Sequence, residues 1–110
     1  MLNGPFTPWP QYTQQEADAV ADVLKSNKVN YWTGEQCRTF EAEFASFVGC
    51  VSAIAVANGT VALDLALLAL DIGPGDEVVV TSRTFIASVS CIVNAGGTPI
   101  FADVDLSTQN

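Results

Sequence analysis

The 110-residue sequence contains no histidine, and only 4 of its residues are basic against 12 that are acidic. Without histidine the chain cannot supply an imidazole base, a triad that needs histidine or a zinc site of the histidine type. A net charge of -8 argues against binding to nucleic acid or to an anionic membrane. No apolar run reaches the roughly 18 residues of a membrane-spanning helix, and no basic region precedes an apolar stretch at the N-terminus. We therefore expect a cytoplasmic protein that binds neither nucleic acid nor membrane.

Charged residues are also scarce, at 15% of the chain, whereas hydrophobic residues reach 49%. Soluble proteins average about 25% charged residues, and a short chain exposes a large share of its surface. Part of the apolar surface is therefore expected to be covered by something outside these 110 residues. The three cysteines, Cys37, Cys50 and Cys91, lack metal-ligand spacing and are predicted to be buried, reduced thiols.

Capping signals and apolar periodicity predict two helices in the first segment, residues 1–50. Thr13 with a glutamate three residues later forms a capping box for an amphipathic helix over 14–26. Thr33 with a glutamine at the same spacing predicts the cap of a second helix, which ends at Gly49 in the manner of a left-handed C-cap. A proline-rich arm precedes both helices and is expected to be extended.

Strands and helices are predicted to alternate in the second segment, residues 51–110. The predicted strands are 51–57, 77–81 and 98–104, and the predicted helices are 61–70 and 85–95. The order β-α-β-α-β implies parallel strands and an α/β fold, as part of a three-layer sandwich. The helix over 61–70 is apolar on almost every side and is expected to be buried on several of them.

The turn Asn58-Gly59-Thr60 is the strongest candidate site. It leads from a strand into a helix, where free N–H groups and the helix dipole favour an anion. Gly59 allows close approach of the backbone, and Thr60 adds a hydroxyl; the alternative is an asparagine cap with a turn glycine. Phe85 follows the strand 77–81, where open α/β sheets bind ligands, so its ring either faces a planar ligand or packs against the next helix.

Two weaker candidates lie elsewhere in the chain. The loop over 30–34 carries adjacent aromatic residues that suit the face of a sugar or a base, or that act as an ordinary anchor. Asp103 and Asp105 alternate along the third predicted strand and could hold a divalent cation. Such a pair more often marks a strand end that enters a loop, so no metal site is assigned.

Several segments together resemble the N-terminal part of the nucleotide-sugar aminotransferases, the DegT-type family. These are pyridoxal 5′-phosphate (PLP) enzymes of the aspartate-aminotransferase fold, fold type I. The segments are Pro5-Phe6-Thr7-Pro8-Trp9-Pro10, Tyr31-Trp32-Thr33-Gly34-Glu35, Val56-Ala57-Asn58-Gly59-Thr60-Val61-Ala62-Leu63, Gly73-Pro74-Gly75-Asp76-Glu77-Val78, Thr84-Phe85-Ile86-Ala87-Ser88 and Phe101-Ala102-Asp103-Val104-Asp105. The resemblance implies that the second segment is the beginning of a PLP-binding large domain.

The resemblance also implies a cofactor role for the residues of the candidate turn. Gly59 and Thr60 would hold the PLP phosphate through backbone N–H groups and the Thr60 hydroxyl, and Asn58 would belong to the same cofactor-binding turn. Phe85 would stack on the pyridine ring of the cofactor. In this family PLP supplies the electron sink for amino transfer, and the protein positions the cofactor.

The resemblance implies a substrate-binding role for the loop over 30–34, which we call the aromatic loop. Tyr31, Trp32, Thr33 and Gly34 would lie at the entrance for the nucleotide sugar, often beside the partner subunit of a homodimer. The implied reaction moves an amino group from an amino acid, usually glutamate, to a keto-sugar attached to a nucleotide.

The family's Schiff-base lysine has no counterpart among the 110 residues. Lys25 and Lys28 are the only lysines, and neither matches a catalytic position. The resemblance therefore places no catalytic residue in this chain, and we expect the isolated chain to be inactive. In the family's sheet the strand over 51–57 has its neighbour later in the sequence, so we expect this strand to pair differently or to be covered by oligomerisation.

Three alternatives stay open at this point. Some members of the same family are sugar dehydratases, in which a histidine replaces the lysine. The turn at Gly59 could also serve a module that binds a phosphate ligand without catalysis. Finally, the apolar helix over 61–70 and the face of Phe40, Phe44 and Phe47 could serve mainly to dock a partner.

Overall fold

The computed structural model describes residues 9–109, and the chain divides into two compact units, Met1–Ala55 and Val56–Asn110. Most of the predicted N-terminal arm lies outside the described residues. The functional division between residues 50 and 51 stays a prediction.

Helix α1 of the first unit, Gln14–Lys25, begins with the predicted capping box. The Glu16 N–H donates to the Thr13 hydroxyl oxygen at 3.3 Å, and the Thr13 N–H donates to the Glu16 carboxylate at 2.6 Å. The side-chain pattern thus satisfies two N–H groups that the first turn of a helix leaves free.

Helix α2 of the first unit, Gln36–Val48, ends as predicted but begins differently. Its last residue is followed by Gly49 at φ +74°, a left-handed conformation that glycine adopts without steric cost. The predicted cap at Thr33 is wrong: the N-cap residue is Glu35, and its side chain caps no N–H. The Thr33 hydroxyl instead donates to the Asn30 side chain, which draws it into the preceding loop.

The second unit contains two helices and a parallel two-stranded sheet, which confirms the α/β class. Its elements are α3 Gly59–Ala69, β1 Glu77–Thr81, α4 Ala87–Ala95 and β2 Thr98–Ala102. The strands pair in register from Glu77 opposite Thr98 to Thr81 opposite Ala102. Helix α4 connects them and packs against both strands and against α3.

The predicted strand over 51–57 is not formed within the described part of the chain. A strand needs the backbone of a neighbour to complete its hydrogen bonds, and β1 and β2 pair only with each other. Ile54, near the middle of this segment, is 72% exposed, so the expected burial is also absent. No new pairing replaces the missing one in residues 9–109, and oligomerisation stays a prediction.

The buried hydrophobic residues of the described chain are few: Ala45 in α2, and Ala87, Cys91 and Ile92 in α4. Helix α3 has no buried residue, and Leu68 on it is 73% exposed. The prediction of a helix buried on several sides is therefore not met here, because α4 is the only described element against which α3 packs.

The cysteine prediction holds for only one of the three residues. Cys91 is buried on α4, whereas Cys37 and Cys50 are exposed, and all three are free thiols. Cys37 lies on α2 and Cys50 directly follows that helix, and neither is covered by another part of the described chain.

Candidate functional site

The turn Asn58-Gly59-Thr60 forms the first turn of α3. The Asn58 side chain accepts the Val61 N–H at 3.0 Å, and the Asn58 carbonyl accepts the Ala62 N–H at 3.1 Å. The cap interpretation is therefore correct for Asn58. It leaves the N–H groups of Gly59 and Thr60 and the Thr60 hydroxyl without a hydrogen bond to any described residue.

Open space surrounds these unused donors. Gly59 lies outside the positive-φ region, and a Cβ built on it would meet no atom within 4 Å. Neither backbone strain nor packing within the described chain therefore requires a glycine at this position. The arrangement fits a phosphate group, because two N–H groups, a hydroxyl and the positive end of an 11-residue helix converge on accessible space. We call Gly59 and Thr60 the cradle.

Phe85 lies between β1 and α4, beyond the carboxyl end of the strand. Its carbonyl accepts the Ser88 N–H at 3.0 Å and so forms part of the first turn of α4. Phe85 as a whole is 72% exposed, which is not the environment of a residue packed against the helix. The cradle begins α3 and Phe85 precedes α4, and these two helices pack against each other within the second unit.

The aromatic loop belongs to the first unit and is held by its own hydrogen bonds. The Asn30 side chain accepts the N–H groups of Trp32 and Thr33, each at 3.0 Å, and the Asn30 carbonyl accepts the Gly34 N–H at 2.8 Å. The Tyr31 and Trp32 rings meet edge to face with centroids 6.0 Å apart. Trp32 remains 85% exposed, so the loop presents a flat apolar surface to solvent.

Gly34 is required by close packing rather than by its φ angle. A Cβ built on it would lie 2.6 Å from the Lys28 carbonyl oxygen and 3.0 Å from that of Asn30. Any side chain would therefore force this loop apart.

Sequence reasoning missed two residues that contact the aromatic loop, Arg38 and Glu41 on α2. Arg38 donates to the carbonyls of Tyr31 and Gly34, and Glu41 accepts the Tyr31 hydroxyl. Their separation of three residues places both on one face of a helix. No signal in the sequence identifies the loop, rather than solvent, as their partner.

Asp103 and Asp105 lie in the loop after β2, since that strand ends at Ala102 rather than at residue 104. The Asp103 carboxylate accepts the Val104 N–H at 2.8 Å, and the Asp105 carboxylate accepts the N–H and hydroxyl of Ser107. The Asp105 carboxylate thus stabilises the turn that follows it, and the Asp103 carboxylate bonds only within its own loop. In the stretch from residue 9 to residue 109, no group of three or more His, Cys, Asp or Glu side chains is placed to share a metal ion.

No helix among the described residues has the length and apolar character needed to cross a membrane.

Known proteins resemble this chain in sequence and in structure. The spore coat polysaccharide biosynthesis protein SpsC of Bacillus subtilis is 42% identical over 107 residues, which are 96% of this chain. An aminotransferase from Psychrobacter cryohalolentis is 66% identical, with a TM-score of 0.88 over 92% of this chain. The PLP form of a putative sugar aminotransferase from Streptococcus pneumoniae is 34% identical, with a TM-score of 0.81 over 96% of this chain.

These similarities concern only part of each known protein. The chain spans 27% of the length of SpsC and 26% of each of the two aminotransferase chains. The fold of the described residues is thus shared with part of fold type I aminotransferases. The sequence model of the DegT/DnrJ/EryC1/StrS aminotransferase family matches residues 10–110, so the chain belongs to this family.

Proposed function

We propose that this chain is the N-terminal part of a PLP-dependent aminotransferase that transfers an amino group from glutamate to a nucleotide-linked keto-sugar. The observation that carries the proposal is the cradle, where two N–H groups and a hydroxyl lie unbonded in open space at the start of α3. Similarity to a spore coat polysaccharide biosynthesis protein and to a putative sugar aminotransferase supports the substrate class.

The residues of the second unit would bind and orient the cofactor. Gly59 and Thr60 would hold its phosphate through the free N–H groups and the Thr60 hydroxyl, while Asn58 keeps the helix end in shape. The exposed ring of Phe85 would lie against the face of the pyridine ring. When bound, PLP supplies the electron sink that amino transfer requires.

The first unit would contribute the substrate-binding loop. Tyr31 and Trp32 offer aromatic faces, and Thr33 and Gly34 complete the short loop that displays them. A nucleotide base or a sugar ring would lie against the exposed Trp32 indole and exclude water from it. The proposal also includes a homodimer, which the family resemblance implies, and a cytoplasmic location, which the sequence composition favours.

The lysine that attaches the cofactor would lie outside these 110 residues. Lys25 is at the end of α1, where its ammonium group is 3.9 Å from the exposed Asp22 carboxylate. Lys28 lies in the loop that follows α1, so both lysines belong to the first unit, whereas the cradle belongs to the second.

Reading the gene beyond the Asn110 codon is the first test. An open frame of a few hundred codons with a lysine in the family's position supports the aminotransferase, and the encoded protein should then form 2-oxoglutarate from glutamate in the presence of a nucleotide-linked keto-sugar. A histidine at that position would assign the chain to the dehydratase branch instead. A stop codon would favour a phosphate-binding or docking module.

A second test uses the 110-residue chain itself. After incubation with PLP and borohydride reduction, mass spectrometry should find only partial modification, spread over the two lysines and the α-amino group. Lys25→Arg and Lys28→Arg are the matched controls. Stoichiometric attachment to one of these lysines would contradict the proposal that the reactive lysine lies elsewhere.

A further inference from the structure

Arg38 on α2 contacts the backbone of the aromatic loop at two points. Its Nη1 donates to the Tyr31 carbonyl at 3.0 Å, and its Nη2 donates to the Gly34 carbonyl at 2.8 Å. The guanidinium carbon lies 5.4 Å from the centre of the Tyr31 ring, and Nη2 also contacts the Glu35 carboxylate at 2.9 Å. One planar group therefore fixes both ends of the four-residue loop, which a lysine ammonium cannot do.

Glu41, one turn further along α2, holds the loop by its side chain. One carboxylate oxygen accepts the Tyr31 hydroxyl at 3.1 Å, and the other accepts the Ala55 N–H at 2.8 Å. The side chain is partly buried, and both of its oxygens are used. Residues 31 and 55, which are far apart in sequence, are thus held by one carboxylate within the first unit.

These contacts immobilise Tyr31 and leave Trp32 free to meet a ligand. Tyr31 is fixed at its carbonyl, its ring face and its hydroxyl, whereas the Trp32 indole is exposed. Such order before binding reduces the entropy that a ligand must offset.

We propose that Arg38 and Glu41 are positioning residues that hold the Tyr31–Gly34 loop in its binding shape, Arg38 through the loop carbonyls and Glu41 through the Tyr31 hydroxyl. This inference rests on the proposed function, which makes the loop a binding site for the nucleotide-linked substrate. The positioning itself is a property of the first unit and is tested separately.

Electrostatics within the cluster agree with the geometry. The pKa of Tyr31 is raised above its ordinary value of 10.0, chiefly because its hydroxyl donates to the Glu41 carboxylate and also because that carboxylate is negative. Arg38 acts in the opposite direction and the Cys37 thiol weakly in the same one. The pKa of Glu35 is lowered by its hydrogen bond and charge interaction with Arg38.

Two measurements on the 110-residue chain test the positioning. The first is the phenolate absorbance of Tyr31 against pH, in a Tyr12→Phe background so that one tyrosine is observed. The second is amide exchange by NMR at Gly34, whose N–H donates within the loop, with the buried Ala45 of α2 as an internal reference for unfolding of the same unit. The variants are Glu41→Ala, Glu41→Gln, Arg38→Ala and Arg38→Lys.

The two glutamate variants separate charge from position. Glu41→Gln keeps an oxygen for the Ala55 N–H and an amide for the Tyr31 hydroxyl, so it should lower the pKa of Tyr31 towards 10.0 and leave exchange at Gly34 unchanged. Glu41→Ala should lower the same pKa and also speed exchange at Gly34 about threefold or more, without a change at Ala45. Glu43→Ala is the matched control on the same helix, since the exposed Glu43 side chain makes no hydrogen bond or ion pair with a described residue.

The arginine variants test whether the two-point geometry of the guanidinium group, or only its positive charge, holds the loop. Arg38→Ala and Arg38→Lys should both speed exchange at Gly34 by about threefold or more, because the ammonium cannot reach both carbonyls. Full protection of Gly34 in Arg38→Lys would overturn the role of Arg38. A pKa of Tyr31 that is the same in Glu41→Ala and in Glu43→Ala would overturn that of Glu41.

A kinetic readout on the longer enzyme distinguishes this inference from the proposed function. There, Glu41→Ala and Arg38→Ala should raise KM for the nucleotide-linked substrate about tenfold with a smaller change in kcat, since a disordered loop weakens binding more than chemistry. Faster exchange at Gly34 with an unchanged KM would support the positioning and refute the substrate role of the loop.

Discussion

Replacing Thr60 by valine is expected to weaken the binding of a cofactor phosphate without lowering the stability of the chain. Valine keeps the branched shape of threonine and removes only the hydroxyl. Because that hydroxyl has no hydrogen bond to a described residue, the free energy of unfolding should change by no more than about 0.5 kcal/mol. Hydrogen bonds to charged groups contribute about 1.5–3 kcal/mol, so affinity should fall roughly tenfold to 150-fold.

Pyridoxamine 5′-phosphate is the appropriate probe, since it carries the phosphate but has no aldehyde to react with lysine. The assay is an NMR titration of the 110-residue chain, read at the amides of Gly59 and Thr60, with urea unfolding as the stability measurement. Pyridoxamine without phosphate is the ligand control and should leave both amides unshifted. We expect the lower end of the range, about tenfold, because the cradle is open to water.

Two further variants make the test specific to the cradle. Gly59→Ala places a methyl group where the phosphate would approach, and it should weaken binding while unfolding stability stays equal or rises by up to about 1 kcal/mol. Asn58→Ala removes the cap instead and should cost about 1 kcal/mol of stability while the phosphate dependence of binding persists. Equal affinity of Thr60→Val and the unmodified chain, or equal binding of the phosphate-free ligand, would refute the cradle.

Two other predictions concern conformation and pH. Gly96→Ala should lower the free energy of unfolding in urea by about 1–3 kcal/mol, because φ is +89° and the new Cβ would lie 3.2 Å from the Pro74 ring. Gly75→Ala, at φ +98° in open space, should cost less, and equal losses would contradict the contact with Pro74. The pKa of Asp105 is lowered to about 2, chiefly by the Ser107 hydroxyl, and it should rise in Ser107→Ala when the carboxyl carbon is followed by NMR. The stabilisation of the loop by ionised Asp105 should be complete above pH 3.8 and should be lost as the pH falls towards 2.

The sequence by itself determined the elements whose signals are local. The capping box at Thr13 starts α1, Gly49 ends α2, and the strand over 77–81 has the predicted bounds. Each of these depends on residues within about one helical turn or one strand, so no distant partner is needed to define them. The family resemblance likewise rests on short motifs in a fixed order.

The candidate site was predictable to the extent that it is local. The turn at Asn58 was placed at the start of a helix, and the structure has it there, with the cap that the alternative interpretation required. The sequence could not reveal that the donors of Gly59 and Thr60 remain unbonded in open space. That property depends on which other segments approach the helix end.

Tertiary structure alone decided the pairing, burial and long-range contacts. The segment over 51–57 has the composition of a strand but forms none, because β-structure exists only where a second backbone completes the hydrogen bonds. Helix α3 is apolar yet exposed, since burial depends on what packs around a helix and not on its composition. Glu41 bonds Tyr31 and Ala55, ten and fourteen residues away, and contacts at such separations arise from the folding of the chain in space and leave no periodic signal in the sequence.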